Sequence, residues 1–321
     1  MLFSLSLLNV LLPKLLNPYY YQILILIGIN IILAVSLNLV NGFTGQFSIG
    51  HAGFMAIGGY TSAALCFYGR EPLLTLFSPL IGHPESEQLL FLIGLLSGGL
   101  VSALFGFLVG IPALRLQGDY LAIVTLGFGE IIRVAILNME FLGGARGFVD
   151  IAPYSNFFWV YGVVLVSVLV IYNMVYSTKG YAFLTIREDE VAAKAIGIDT
   201  TQFKVIAFTI GAFFAGLAGA LFAHFITYLH TNSFTFVKSI EVVVMVVMGG
   251  MGSISGSAIA AVILTVLPEA LRPVKEFRMI LYSILLILLM LVRPKGILGN
   301  EELSIGKLKK WIFPLKKRST L

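Results

Sequence analysis

The chain has 321 residues, a mean hydropathy of +0.97 and charged side chains at only 12 % of its positions, about half the share found in soluble domains, so its composition is that of a polytopic membrane protein. Its single cysteine, Cys66, excludes an internal disulfide, and its four scattered histidines, His51, His83, His224 and His230, form no metal-binding pair on one helix turn. The net charge of +5 sits largely in one C-terminal tail, which is not the footprint of a nucleic-acid-binding protein.

Residues 1–16 are apolar but interrupted by Pro13 and Lys14, too short for the roughly 20 residues that a span needs; they read as an interfacial segment or a short extra span, and no cleavable leader pattern accompanies them. Tyr20 to Val40 is the first clear span, with Tyr19, Tyr20 and Tyr21 at one interface. From Asn41 to Ala63 six glycines argue against one uninterrupted helix. Two readings are open there: tight packing through small residues, or a broken helix lining a translocation path. Arg70 to Gln88, with three prolines, reads as an external loop. Leu89 to Ile111 is a span carrying Gly94-x-x-x-Gly98 and Gly106-x-x-x-Gly110, faces suited to close helix approach.

Arg115 to Gly118 is a short turn, and Asp119 to Met139 a further span with Glu130 and Arg133 inside it. An ionisable residue in a membrane is a candidate for the substrate path; at i, i+3 the two can equally pair with each other. Glu140 to Asn156 is a glycine-rich external loop and Phe157 to Tyr176 a plain span. Ser177 to Lys204 is then the one markedly polar interval in mid-chain, with eight charged residues. Thr185 and Glu188 match a capping box and Gly197 a helix-ending glycine, so the pattern predicts a helix over 186–196 with Ala192, Ala193 and Ala195 in its middle. Phe203 to Leu229 follows, with Gly211, Ala215, Gly219 and Ala223 forming a small-residue face. Lys238 to Leu271 reads as two short spans meeting at Gly249 to Gly256, an echo of the earlier glycine break. Phe277 to Val292 is the last span, and 293–321 a basic tail suited to anionic lipid. The expectation is an all-α polytopic membrane protein of about 8 to 10 transmembrane helices, some of them broken, forming a single permease domain over 1–321. The lysine and arginine bias places the 177–204 loop, the Arg115 turn and the tail on the cytoplasmic side, at the expense of Arg272, Lys275 and Arg278 outside.

Three stretches carry a resemblance. NLVNGFTGQFSIGHAGFMAIGGYTSA, LRLQGDYLAIVTLGFGEIIR and IREDEVAAKAIGID followed by FAGLAGALFA resemble the branched-chain amino-acid (Liv-type) permeases of ABC importers, M-type subunit, over about Asn30 to Gly299. The common loop motif of ABC permeases has Glu directly before two alanines; here that position is Val191, and the form from Glu190 to Gly197 is the one associated with the Liv branch. The resemblance implies that the loop is a coupling helix docking on an ATPase, through Arg187, Glu188, Glu190, Ala192, Ala193 and Gly197. It also implies that Gln46, Ser48 and His51 lie at or near the substrate path, to which Glu130 is the ionisable addition. The implied partners are a second, H-type permease subunit, two ATPase subunits, an extracytoplasmic substrate-binding protein and the lipid bilayer, in a bacterial or archaeal inner membrane.

No phosphate-binding loop is present: at Gly306-Lys307 the nearest approach has Glu301 for the first glycine and Leu308 after the lysine. ATP is therefore expected on partner subunits, with no cofactor on this chain. Urea or short-chain amide permeases share these motifs, and an ion-coupled transporter using Glu130 or Glu241 is the reading from a different class.

Overall fold

The computed structural model describes residues 16–72, 83–116, 118–272 and 296–299, with isolated positions (9, 12, 13, 75, 283, 284, 287, 291, 302) besides. The N-terminal segment, the span expected over 277–292, most of the tail and the Gly306-Lys307 pair lie outside them. Among the described residues the chain is helical, and its only strand-like feature is an isolated bridge between Phe148 and Leu229. Among the described residues six stretches are long and apolar enough to cross a membrane, and Ile254–Ala270 is a shorter apolar helix. The protein is an all-α, multi-pass membrane protein.

In chain order the helices are α1 (Pro18–Asn38), α2 (His51–Tyr68), α3 (His83–Ala113), α4 (Asp119–Leu137), α5 (Phe157–Val175), α6 (Tyr181–Glu188), α7 (Glu190–Ala195), α8 (Thr200–Ile226), α9 (Phe236–Gly249) and α10 (Ile254–Ala270). A π-helical turn, Leu39–Phe43, extends α1. The core is built around α8, which packs on α3, α2 and α1, while α1 also holds α10 and α5. Both α1 and α8 are mostly buried, whereas α4 and α5 bury only a minority of their residues fully and expose apolar side chains, Ile123, Ile131, Val166 and Leu169 among them. In a bilayer such a surface carries no penalty, so the pattern needs no amphipathic stripe.

Close approach decides the centre. Gly58 of α2 lies against the backbone of Gly216 in α8, and a Cβ on Gly98 of α3 would stand 2.6 Å from the Gly58 carbonyl. Three helices meet there with no side chain between them, and Ser102 ties them by donating its hydroxyl hydrogen towards Phe54 O (3.0 Å) and Ala212 O (2.7 Å). Small-residue packing and a break in the helix both occur in the Asn41–Ala63 stretch, at different places. The chain is broken at 44–50, where Gly45 turns it with φ +69, while Gly53, Gly58 and Gly59 sit inside the continuous helix α2 as packing positions. Glu130 and Arg133 pair at 2.7 Å, as their spacing permits.

Candidate functional site

The site is one end of the bundle, where the two helix breaks meet. Asn38, fully buried, closes α1. Its Nδ2 donates to Ser253 O (2.9 Å) and its Oδ1 accepts from Gly252 N (2.9 Å), so one amide satisfies the turn that separates α9 from α10. Gly42 rests on the Gly252 backbone. The Ser253 hydroxyl then caps α10 by accepting from Gly256 N (3.0 Å). The carboxylate of Glu302 accepts from Ile254 N (2.6 Å) and Ser255 N (3.0 Å), a negative charge at the positive end of α10.

The polar loop lies on this same end, and its helix differs from the expected 186–196 span. It is two helices, α6 and α7, parted at Asp189, which is extended (φ −157, ψ 111). Asp189 Oδ1 accepts from Val191 N (2.8 Å) and Ala192 N (3.0 Å) and is the N-cap. The Thr185 hydroxyl donates to Tyr181 O (2.9 Å), so the Thr185–Glu188 capping box does not form. The physical reason is competition: Asp is among the strongest N-caps, and burying Phe183 and Ile186 on the bundle draws the helix start back to Tyr181. The C-terminal expectation holds. Gly197 has φ +87, Ile198 N donates to Ala193 O (3.1 Å) and Gly197 N to Lys194 O (3.0 Å), the paired bonds of a Schellman stop.

The loop is bolted to the bundle at two points. Arg187 Nη1 donates to Gly42 O (3.3 Å) and stands beside Gly252, touching both breaks, while Glu188 takes its other edge (2.7 Å). Glu190 accepts from Lys204 of α8 (2.5 Å) and from the Thr200 hydroxyl (3.2 Å) and pairs with Lys194 (3.0 Å). Burial pushes the Glu190 carboxyl upward, but the ammonium groups of Lys204 and Lys194 outweigh it and hold the group below its ordinary value. The folded protein thus binds this proton less readily than the unfolded chain. The resulting stability is present above the ordinary glutamate value of about 4.3 and is lost as pH falls through the depressed one. Glu190→Gln is expected to cost about 1.5–3 kcal/mol near neutral pH, the range for a hydrogen bond to a charged group. The gap in melting temperature between the two proteins should narrow as acidification takes the pH down through the depressed value, because protonation gives wild type the same neutral side chain; a gap independent of pH would remove the ion pair from the account.

The remaining sequence-named residues do not converge on one point. Gln46, 4 % exposed, lines a cleft of about 190 Å³ beside Glu190 and Lys204. The backbone of Ser48 is held by the Asn41 amide at 3.2 Å in both directions. His51 is buried and its Nε2 lies 2.8 Å from Ser36 Oγ. Glu130, besides Arg133, accepts from Phe236 N (3.2 Å) at the start of α9, away from the loop. On the loop, Ala193 is fully buried against the bundle, while Val191 (77 %) and Ile196 (71 %) stand exposed with Ala192, Ala195 and Gly197.

The family profile described as "Branched-chain amino acid transport system / permease component" matches residues 19–293. The chain belongs to this permease family. The permease is 40 % identical to the high-affinity branched-chain amino acid transport system permease protein LivM of Salmonella typhimurium, over 84 % of this chain and 68 % of the relative. It is 38 % identical to the protein of that name from Escherichia coli, over the same shares. To the LivH permease protein of Escherichia coli it is 26 % identical, over 85 % of this chain and 92 % of the relative, so it is of the M type. No solved structure matches the permease.

Sequence reasoning passed over three residues that build this end of the permease: Asn38, Asp189 as a cap and Lys204 as an anchor. Asn38 could have been found as an amide closing an apolar run just before Asn41-Gly42, and Lys204 as a cation within the first turns of an apolar helix. Glu302 carried no such signal.

Proposed function

We propose that this permease is the M-type subunit of an ATP-driven importer that moves leucine, isoleucine and valine inward by alternating access. A second permease subunit completes the path, two ATPase subunits drive it and an extracytoplasmic binding protein delivers the ligand. The names of the relatives support the cargo. The loop end faces the cytoplasm in this reading, in accord with the charge bias.

The observation that carries the proposal is the division of labour on α7. One side, Ala193 and Glu190, is fixed to the bundle, and the other presents Val191, Ile196 and small residues with nothing over them among the described residues. An exposed apolar and small-residue surface on a short, twice-anchored helix suits a groove on an ATPase. Push on that surface reaches Gly42 and Gly252 through Arg187, and so both helix breaks. ATP hydrolysis belongs to the partners. The test is Ala192→Trp together with Ala195→Trp in the assembled complex. Ligand-stimulated ATP hydrolysis is expected to fall at least tenfold while the subunit itself stays folded, because neither residue supports the bundle. Unchanged stimulation, or leucine uptake by this chain alone in liposomes, would overturn the reading.

A further inference from the structure

Two ion pairs meet at the start of α9. Lys238 Nζ donates to the Glu241 carboxylate (3.2 Å) and to Asn30 Oδ1 of α1 (3.3 Å). Glu130 of α4, paired with Arg133, accepts from Phe236 N (3.2 Å), two residues before Lys238. Asn30 gives their depth. It lies about 18 Å along α1 from Pro18 and about 12 Å short of Asn38, at about 1.5 Å per residue. A hydrocarbon core is about 30 Å thick, so both pairs sit inside it. Asn30 Nδ2 also donates to the Thr265 hydroxyl of α10 (2.8 Å), which holds the amide in place. The helix α9 gives their direction. Ser239, Val242 and Val246 are buried against the bundle, while the opposite side carries Val237, 61 % exposed, and Glu241, whose side chain is 44 % exposed. The Glu130 side chain is 34 % exposed.

Pairing cancels these charges, but in lipid the outward part of each carboxylate would still be stripped of water. A glutamate is too short to reach the head groups from that depth, and Lys238 is tied to Asn30. Ionisable side chains so placed face protein or water. The exposed side of α5 makes no such demand: Phe157–Val175 has no charged residue, and Leu169, 51 % exposed, suits lipid. We propose that the open side of α9, with Glu130 and Arg133 of α4 beside it, is this chain's wall of a water-filled passage closed on its far side by the second permease subunit, whereas α5 is turned to lipid. Both signs of charge stand along the wall and each is already balanced, so a zwitterion passing it meets neither an anion trap nor a cation trap. That the facing protein is the second permease rests on the function proposed above; that the face is wet does not.

The experiment is labelling of Val237→Cys in the assembled complex in nanodiscs with a charged, membrane-impermeant methanethiosulfonate, which reacts with the thiolate that forms in water and not in lipid. Leu169→Cys is the lipid-facing control. Phe236→Cys, 43 % exposed at the wild-type residue, is a second probe of the wall that stands in if the first variant does not assemble. Cys66 is buried, so the unsubstituted chain gives the background. Val237→Cys is expected to react at least tenfold faster than Leu169→Cys. A photoreactive benzoylphenylalanine at position 237 is expected to cross-link to the second permease subunit, and one at position 169 to lipid. Equal rates at the two positions, or cross-links from position 237 to lipid or within this chain alone, would overturn the proposal. Copurification of a second permease is scored first. Its absence would overturn the importer reading, and the two labelling rates in the chain by itself would then judge whether the wall is wet.

Discussion

Replacing Asn38 with leucine is expected to destabilise the protein by about 1.5–4.5 kcal/mol, although leucine suits an apolar helix better on every local scale. Asn38 Nδ2 and Oδ1 serve Ser253 O and Gly252 N, both in a region shut off from solvent. Leucine leaves the Gly252 N–H unmatched, at about 1–3 kcal/mol, and removes one donor from Ser253 O, which keeps Ser257 N (3.1 Å) and the Ser257 hydroxyl (3.0 Å), at about 0.5–1.5 kcal/mol. Against a total stability of about 5–15 kcal/mol, the loss is large. The measurement is thermal unfolding in detergent, followed by the intrinsic fluorescence of the chain. An Asn38→Leu protein as stable as wild type would show that the two helix breaks are not held together by this amide.

Gly58→Leu is expected to abolish the folded bundle, and Gly58→Ala alone to lose about 1–3 kcal/mol or more, the range for an overpacked core. The space a Cβ would occupy is already filled by the Gly216 backbone of α8, which cannot rotate away as a side chain could. Moving α8 outward would break the Ser102 bonds to Phe54 O and Ala212 O, which span all three helices. Gly162 of α5 is the control. A Cβ there meets nothing within 4 Å, so Gly162→Ala should be neutral or stabilise by up to about 1 kcal/mol through helix propensity. Yield of monodisperse protein and melting temperature read both substitutions. Equal behaviour of the two alanine variants would reduce the central crossing to ordinary helix packing.

What could be read from the residues alone was whatever depends on neighbours in the chain. Hydropathy placed the spans because a bilayer demands about 20 apolar residues in sequence from any helix that crosses it. The pairing of Glu130 with Arg133 and the stop at Gly197 were legible because both are contained within a turn or two of one helix. The glycine breaks at 44–50 and 250–253 were legible as breaks.

Only the tertiary structure decided that those breaks face each other, since the bonds from Asn38 to Gly252 and Ser253 join positions more than 200 residues apart. It also decided that Asp189 rather than Thr185 starts α7. Local capping rules allow either, and the burial of Phe183 and Ile186 against the bundle selects one. The same holds for Gln46, whose side chain reads as an ordinary polar residue until the fold encloses it beside Glu190 and Lys204. Periodicity and propensity report the energy of a segment by itself. The placing of a buried amide or ion pair depends on which distant backbone comes to lie beside it, and that is settled by how the helices pack.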